Sequence, residues 1–158
     1  MALIFAEKAK QMGSTSFTPL PKWESFRVDN CTILWEPGVY QGEGTENRVN
    51  VCVKSEQGVA RILEFENCLG QSASVCSCVK GEDEFQHIKT KFVWDKIRFF
   101  DVAHERVDKP PKLTGHSRNL IFNIKGKWAS HGQVGLSLEV ANIQLLEPKE
   151  PDTKSPFK

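Results

Sequence analysis

Apolar and polar residues alternate over several short stretches of this chain, as they do in β-strands that have one face on a core. The two clearest stretches are residues 48–54 and 118–125. Their predicted inward positions are Val49, Val51, Val53, Leu120, Phe122 and Ile124. Because successive side chains of a strand point to opposite faces, both stretches predict half-buried strands.

A longer alternation over residues 134–146 changes phase partway along. Its apolar positions are Val134, Leu136, Leu138 and Val140, followed by Ile143 and Leu145. A one-residue slip of this kind is what a β-bulge produces, since the bulged strand carries one extra residue. We therefore predict one long strand that contains a bulge.

Shorter runs of apolar or small residues complete a β-rich pattern. They predict strands over residues 31–35, 59–65, 72–79 and 92–102. Residues 55–58, Ser-Glu-Gln-Gly, predict a hairpin turn between two of the strands. Several short strands with almost no helical periodicity indicate a barrel or a sandwich, so the predicted fold class is mainly β.

The two ends of the chain lack this strand pattern. Residues 3–12 have weak helical periodicity and predict a short N-terminal helix, and residues 18–21, Thr-Pro-Leu-Pro, are typical of an extended linker. The proline-rich end predicts a flexible C-terminal tail. We expect a single domain over residues 1–147, of which residues 1–30 form an N-terminal extension, and a tail over residues 148–158.

The composition is that of an ordinary soluble globular chain, with 39% hydrophobic and 26% charged residues among 158. No apolar run is long enough to span a bilayer, and the apolar start is short and lacks a basic leader, so we expect neither a membrane partner nor secretion. The five cysteines are an odd number. An odd number favours free thiols in a reducing intracellular compartment, either the cytoplasm or the nucleus.

A formal net charge of +1 hides an uneven distribution of charge along the chain. Residues 36–84 carry nine acidic and four basic side chains, a net charge of −5, whereas residues 85–132 carry ten basic and four acidic side chains, a net charge of +6. A basic region attracts polyanions. The alternative is that the acidic and basic regions face each other as salt-bridged strands.

Residues 91–100, KFVWDKIRFF, mix aromatic and cationic side chains. As a single strand, this stretch would have an odd-numbered face with core character, including Val93, Ile97 and Phe99. Its other face is formed by Phe92, Trp94, Lys96, Arg98 and Phe100. We predict that this even-numbered face is a binding platform and that the odd-numbered face packs on the core. The alternative is that the even-numbered face lies beneath a loop or helix.

Aromatic and cationic side chains on one surface are what sequence-tolerant binders of single-stranded nucleic acid use. Aromatic rings stack on bases at about 1–3 kcal/mol each, and lysine and arginine neutralise phosphates. The end of the next predicted strand adds further residues of both kinds. The predicted nucleic-acid-binding residues are Lys91, Phe92, Trp94, Lys96, Arg98, Phe100, Lys125, Lys127 and Trp128.

Motifs for catalysis or metal binding are weak or absent in the sequence. There is no glycine-rich phosphate loop, nucleophile elbow or paired-histidine metal motif, so we expect no enzymatic activity and no cofactor. Cys76, Cys78 and His87 could supply three zinc ligands, but a one-residue gap between cysteines does not match the spacing of structural zinc sites. We expect unmodified cysteines in a strand and no bound metal.

The C-terminal part of the chain, residues 91–148, resembles the closing part of the OB-fold single-stranded-DNA-binding proteins of tailed phages. The resemblance rests on KFVWDKIRFFD, a loop ending in Gly115, NLIFNIKGKW, a polar loop, and GQVGLSLEVANIQLLEP. The positions that fit the long final strand of that family are Gly135, Leu136, Leu138, Val140, Ile143, Gln144 and Leu145. The resemblance implies a single OB-like β-barrel that binds single-stranded DNA in replication, recombination or repair.

Two alternative functions and two further partners stay open. The short strands and the acidic middle of the chain also suit a β-sandwich with a structural or protein-interaction role, such as a viral capsid or accessory protein. The same aromatic and basic face would serve single-stranded RNA. Phage proteins of the resembling family commonly end in an acidic tail that contacts replication proteins, whereas residues 147–158 here have mixed charge. Contact with replication proteins and formation of a homo-oligomer therefore stay open.

Overall fold

The computed structural model describes residues 10–34, 48–69, 74–110 and 113–146 together with Phe5, and these residues form mainly β-strands. The described strands are β1 (Lys10–Met12), β2 (Thr15–Ile33), β3 (Arg48–Lys54), β4 (Ser74–Val75), β5 (Val79–Lys80), β6 (His87–Val93), β7 (Arg98–Phe100), β8 (Arg106–Val107), β9 (Ser117–Ser130) and β10 (Gln133–Leu145). The α-helix α1 (Glu56–Glu66) follows β3, and short 3-10 turns span Asn67–Leu69 and Asp83–Phe85.

Five of these strands pair in a closed ring. β2 pairs with β3, β3 with β6, β10 with β9 and β9 with β2, all antiparallel. β6 pairs with β10 in parallel, and this contact closes the ring. A five-stranded ring with mixed connectivity is the architecture of the OB-fold, so the mainly β, OB-like prediction is confirmed. Two separate stacked sheets, as in the sandwich alternative, would lack this closing contact.

The inside of the ring is filled by aromatic and β-branched side chains. Phe26 stacks on Phe122 with 5.4 Å between ring centroids, and Phe26 also lies 5.3 Å from Phe65. The predicted inward positions of β3 and β9 are all buried. These predictions are confirmed because the regular alternation in both strands matches the pleat of the sheet.

The predicted bulge in the last strand is also present. The register of β10 against β9 shifts between Val140 and Asn142, so that Ala141 is the extra residue. Val140 on one side of the shift and Ile143 on the other are both buried. The slip in the apolar phase therefore keeps both halves of the strand facing the core.

The predicted hairpin at residues 55–58 and the predicted return strand at residues 59–65 are wrong, because these residues begin and build helix α1. Ser55 is the N-cap, and its Oγ accepts a hydrogen bond from the Gly58 backbone N–H at 3.0 Å. The buried residues of the helix recur at helical spacing: Gly58, Val59, Ile62, Phe65 and Glu66. Val59, Ile62 and Phe65 are residue types that favour strands, but the Ser55 cap and the helical spacing of the buried residues favour a helix.

The N-terminal part of the chain contributes more sheet than expected. Residues 10–12, the end of the predicted helix, form β1, and residues 1–4 and 6–9 lie outside the described residues. Residues 15–30, which we assigned to an extension, form most of β2 and pair with β9. The linker at residues 18–21 is part of this strand. Pro19 is the last residue paired with β9 before the pairing is interrupted, and Pro21 lies within the interruption. The predicted tail at residues 148–158 lies outside the described residues.

The prediction of one continuous strand over residues 92–102 is wrong. β6 ends at Val93, a turn follows at residues 94–96, and β7 begins at Arg98. The turn shifts the inward phase, because even-numbered residues face the core in β6 whereas Phe99 does so in β7. Val93, Ile97 and Phe99 are buried as expected, but Phe92 is fully buried as well.

Among the described helices, none has both the length and the apolar character needed to cross a membrane.

We predict that Phe92→Ala destabilises the fold by about 3–5 kcal/mol, because it empties a buried aromatic site inside the ring. Urea unfolding followed by circular dichroism measures the change. Phe85, which is 75% exposed on the turn before β6, provides the matched control. Phe85→Ala should change stability by no more than about 0.5 kcal/mol. Equal effects of the two substitutions would contradict the inward placement of Phe92.

Candidate nucleic-acid interface

The outer face of β3 and β6 is polar and basic. In β6 the inward residues alternate with Lys89 and Lys91, which are exposed. Lys91 lies opposite Asn50 of β3, and Lys89 lies opposite Cys52. Ile88, Thr90 and Phe92 point into the core. The two lysines alternate with them along the strand and therefore point to the outer face.

A short segment of residues 74–80 forms a wall beside this face. Its backbone first follows β10, where the Cys76 N–H donates to the Val134 carbonyl at 2.8 Å. It then switches to β6, where the Cys78 carbonyl accepts from the Lys89 N–H at 2.7 Å. Of the predicted strand over residues 72–79, residues 72–73 lie outside the described residues. The rest is divided between two short strands, β4 and β5, because the backbone changes partner between them.

A buried carboxylate holds this wall in place. Glu66, at the end of α1, accepts hydrogen bonds from the Ser77 hydroxyl at 2.5 Å and from the Cys78 N–H at 2.8 Å. The Ser77 Oγ in turn accepts from the Val79 N–H at 3.0 Å. Bonds to a charged acceptor are stronger than neutral ones, so the helix end fixes the wall against the ring.

Together these elements enclose a depression of about 260 Å³, which we call the basic groove. Its cationic and aromatic lining consists of Lys80, Lys89, Lys91 and Trp128. The other lining residues are Asn50, Cys76, Ser77, Cys78, Thr90, Leu136, Ser137 and Leu138. Among these described residues there are three lysines and no carboxylate. The positive field is thus concentrated beside an aromatic ring.

Trp128 lies across the outer surface of β10 because its partner there is a glycine. It pairs with Gly135 on β10 and with Phe17 on β2. A Cβ atom at Gly135 would lie only 2.6 Å from the Cε2 and Cζ2 atoms of the indole. Any larger residue at Gly135 would therefore displace the ring from the groove.

Two cysteines line the groove and differ in their surroundings. The Lys80 ammonium donates to Cys76 Sγ at 3.8 Å. Cys78 Sγ donates to the Leu136 carbonyl at 3.6 Å, and burial together with the nearby Glu66 charge raises the pKa of the Cys78 thiol to about 12. Within the described ranges no three His, Cys, Asp or Glu side chains are arranged to hold a metal.

The structure does not bring the residues of the predicted even-numbered face together on one surface. Phe92 is inside the ring, so the expectation that it offers a stacking surface is wrong. Trp94, in the turn, contacts Phe92 edge-on at 5.5 Å and carries the Lys109 ammonium 4.4 Å from its ring centroid. Lys96 and Arg98 are exposed. Nucleic-acid binding by Trp94, Lys96 and Arg98 stays a prediction, and none of the three lines the groove.

Phe100 belongs to another part of the outer surface. It lines a depression of about 260 Å³ near the end of β10, together with Arg27, His104 and Gln144. Phe100 pairs with Gln144, whereas Trp128 pairs with Gly135, so the two aromatic residues are nine residues apart along β10. At about 3.3 Å per residue this is about 30 Å. Phe100 and Trp128 therefore do not form one compact platform.

The two predicted lysines of β9 point to different environments. Lys125 forms an ion pair with Glu139 at 3.1 Å on the outer face. Lys127 pairs with Leu136 in register, and its ammonium lies 4.6 Å from the ring centroid of Phe5. Of the predicted set, the structure therefore brings Lys91 and Trp128 together in the basic groove and leaves Lys125 nearby.

Sequence reasoning missed Lys80, Lys89 and Asn50 as groove residues. The available signal was the alternation of residues 87–92, in which His87, Lys89 and Lys91 share one face. The predicted strand over residues 92–102 began only at the end of this stretch, so residues 87–91 were not recognised as part of a strand. Lys80 lies beside β6 because β5 and β6 form a short antiparallel hairpin in which Lys80 pairs with His87, and the prediction ended the preceding strand at residue 79.

Comparison with known proteins gives a consistent result at the level of fold. No protein-family model matches the chain, and no curated protein sequence matches it. Three solved structures that it resembles come from two bacteriophages. The structure of gp2.5, a single-stranded DNA binding protein encoded by bacteriophage T7, is 11% identical with a TM-score of 0.53, over 84% of this chain and 98% of that one.

The single-stranded DNA-binding protein from bacteriophage Enc34 is 10% identical with a TM-score of 0.52, over 94% of each chain. The same phage protein in complex with single-stranded DNA is 12% identical with a TM-score of 0.50, over 94% of this chain and 100% of that one. The likeness covers far more than the C-terminal stretch that suggested it. It shows that the chain has the fold of these phage proteins.

Proposed function

We propose that this protein binds single-stranded DNA in the basic groove, with little preference for sequence. The observation that carries the proposal is the convergence of three lysines and Trp128, with no carboxylate among the lining residues. In chain order, β3 and β6 are the second and third strands of the ring. The corresponding face of OB-folds is the one that binds oligonucleotides.

The chemistry of the groove suits a nucleic-acid strand. Lys80, Lys89 and Lys91 neutralise phosphates, which releases counterions and makes the affinity fall with salt. The indole of Trp128 offers a stacking surface that accepts any base, since every base has a π-face. Asn50 and Ser137 line the same groove and supply polar contacts. None of these groups reads one base uniquely, which is why we propose sequence-tolerant binding.

The biological setting follows from the same proposal. The similar phage structures are those of single-stranded DNA-binding proteins, and one of them is a complex with single-stranded DNA. We infer that this chain acts as a single non-enzymatic domain that protects single strands in replication, recombination or repair. We infer a reducing compartment inside a cell from the odd number of cysteines in the sequence. Contact with replication proteins and self-association stay part of this proposal.

The first prediction for the groove concerns charge. Lys89→Gln combined with Lys91→Gln should make the slope of log affinity against log salt less steep by about 1.4, since each lost phosphate contact contributes about 0.7. Fluorescence polarisation of a labelled oligo-dT across a range of salt concentrations measures the slope. Lys10→Gln, on exposed β1, is the control and should leave the slope unchanged. An unchanged slope in the double variant would place the DNA elsewhere. A parallel titration with oligo-U compares the affinity for single-stranded RNA with that for single-stranded DNA.

The second prediction concerns stacking. Trp128→Leu should weaken oligo-dT binding by about 1–3 kcal/mol without changing the salt slope, because it removes a ring and no charge. Trp128→Phe should retain part of the affinity. Polarisation titrations at fixed salt provide the measurement, and circular dichroism checks the fold. Wild-type affinity in Trp128→Leu would contradict a stacking role.

The third prediction uses the groove cysteines as reporters. When the free oligo-dT concentration is 100 times the Kd, alkylation of Cys76 should be about 100-fold slower, since only the unbound protein reacts. Cys78 should react slowly at neutral pH in either state, because its raised pKa keeps the thiol protonated. Mass spectrometry of maleimide-treated protein resolves the sites. Cys68, beyond the end of α1 and absent from the groove lining, is the internal control, and its rate should not change. Equal protection of Cys68 and Cys76 would contradict binding in the groove.

A further inference from the structure

A second aromatic residue stands on the outer surface where β2 bulges away from β9. The pairing runs from Pro19 with Gly126 to Glu24 with Ile124, so residues 20–23 of β2 face the single residue Lys125 of β9. Leu20 is buried and anchors one end of this bulge in the core. Trp23, at the other end, is 46% exposed. A bulge changes the direction in which its side chains point, and here it leaves the indole ring of Trp23 partly exposed to solvent.

Trp23 is held in position by a chain of charged contacts. The Lys125 ammonium lies 4.7 Å from the centroid of its indole ring. The same ammonium lies 3.1 Å from Glu139 Oε2, in a pair whose side chains are only 22% and 12% exposed. A cation fixed by a largely buried carboxylate has little freedom, so the cation–π contact restrains the ring. The ring is thus pre-ordered while much of its surface stays exposed to solvent.

The same contacts connect Trp23 to the basic groove. Glu139 is the register partner of Lys91 on β6, and Lys91 lines the groove. Lys125 also precedes Trp128 by three residues on β9, which corresponds to about 10 Å along a strand. The line from Lys91 through Glu139 and Lys125 to Trp23 crosses the outer face of four neighbouring strands, β6, β10, β9 and β2.

We propose that Trp23 is a second base-stacking site, which extends the DNA path from the basic groove across β9 to the bulge of β2, with Lys125 as its phosphate contact. This inference rests on the proposed function. The occupant is a nucleobase because a planar apolar ring beside a cation matches a base joined to a phosphate. A single aromatic site holds one base, whereas two sites separated along the sheet favour longer oligonucleotides.

The experiment compares the lengths of DNA that each site requires. Oligo-dT of about 4 and about 12 nucleotides, which span the range of site sizes for one OB-fold, are titrated with each variant. Trp23→Leu should weaken binding of the longer oligonucleotide by about 5- to 150-fold and leave binding of the shorter one unchanged. Trp23→Phe should restore most of the loss. The salt slope should not change in either variant, because no charge is removed.

Leu63, which is 41% exposed on α1, provides the matched control for removal of an exposed apolar side chain. Leu63→Ala should bind both oligonucleotides as the wild type does. If Trp23→Leu also binds both as the wild type does, while the Lys89/Lys91 variant is weakened, the second site is wrong and the proposed function stands. If the wild-type protein binds neither oligonucleotide, the proposed function itself is wrong.

Discussion

Two residue pairs join β6 to β10 in parallel, Lys91 with Glu139 and Phe92 with Val140, and this short contact closes the ring. Once it forms, the side chains of β6 have only two environments. Phe92 and Val140 face inward with Phe122, where burial is favourable, and Lys91 faces outward, where its charge stays hydrated. The orientation of every other residue in β6 follows from this pairing, because the side-chain period of a strand is two.

The basic groove depends on parts of the chain that are far apart. Lys89 and Lys91 come from β6, Trp128 from β9, and Lys80 from the wall that Glu66 holds. Each has a local requirement, such as a glycine at position 135 beneath the indole or a carboxylate at the end of α1. The groove is therefore a product of the closed ring, and a change in the register of β6 would disperse its lysines.

Regular alternation made several elements predictable from the sequence. The strand at residues 48–54, the inward residues of β9 and the bulge of β10 all follow from the positions of apolar residues. Helix α1 was missed because Val59, Ile62 and Phe65 favour strands as residue types, and only the Ser55 cap and the spacing indicate a helix. Phe92 was misplaced because a turn at residues 94–96 interrupts what looked like one alternating strand.

The order of the residues is enough to predict the mainly β class, the long bulged final strand, and the basic and aromatic character of the third quarter of the chain. These properties are carried by composition and by local periodicity, which need no knowledge of partners. Which lysines share a surface and which aromatic rings are exposed depends instead on how the strands pair in the folded ring. A strand has two equivalent faces until a neighbour fixes its register, and the ring neighbours of β6, which are β3 and β10, both lie more than thirty residues away in the chain.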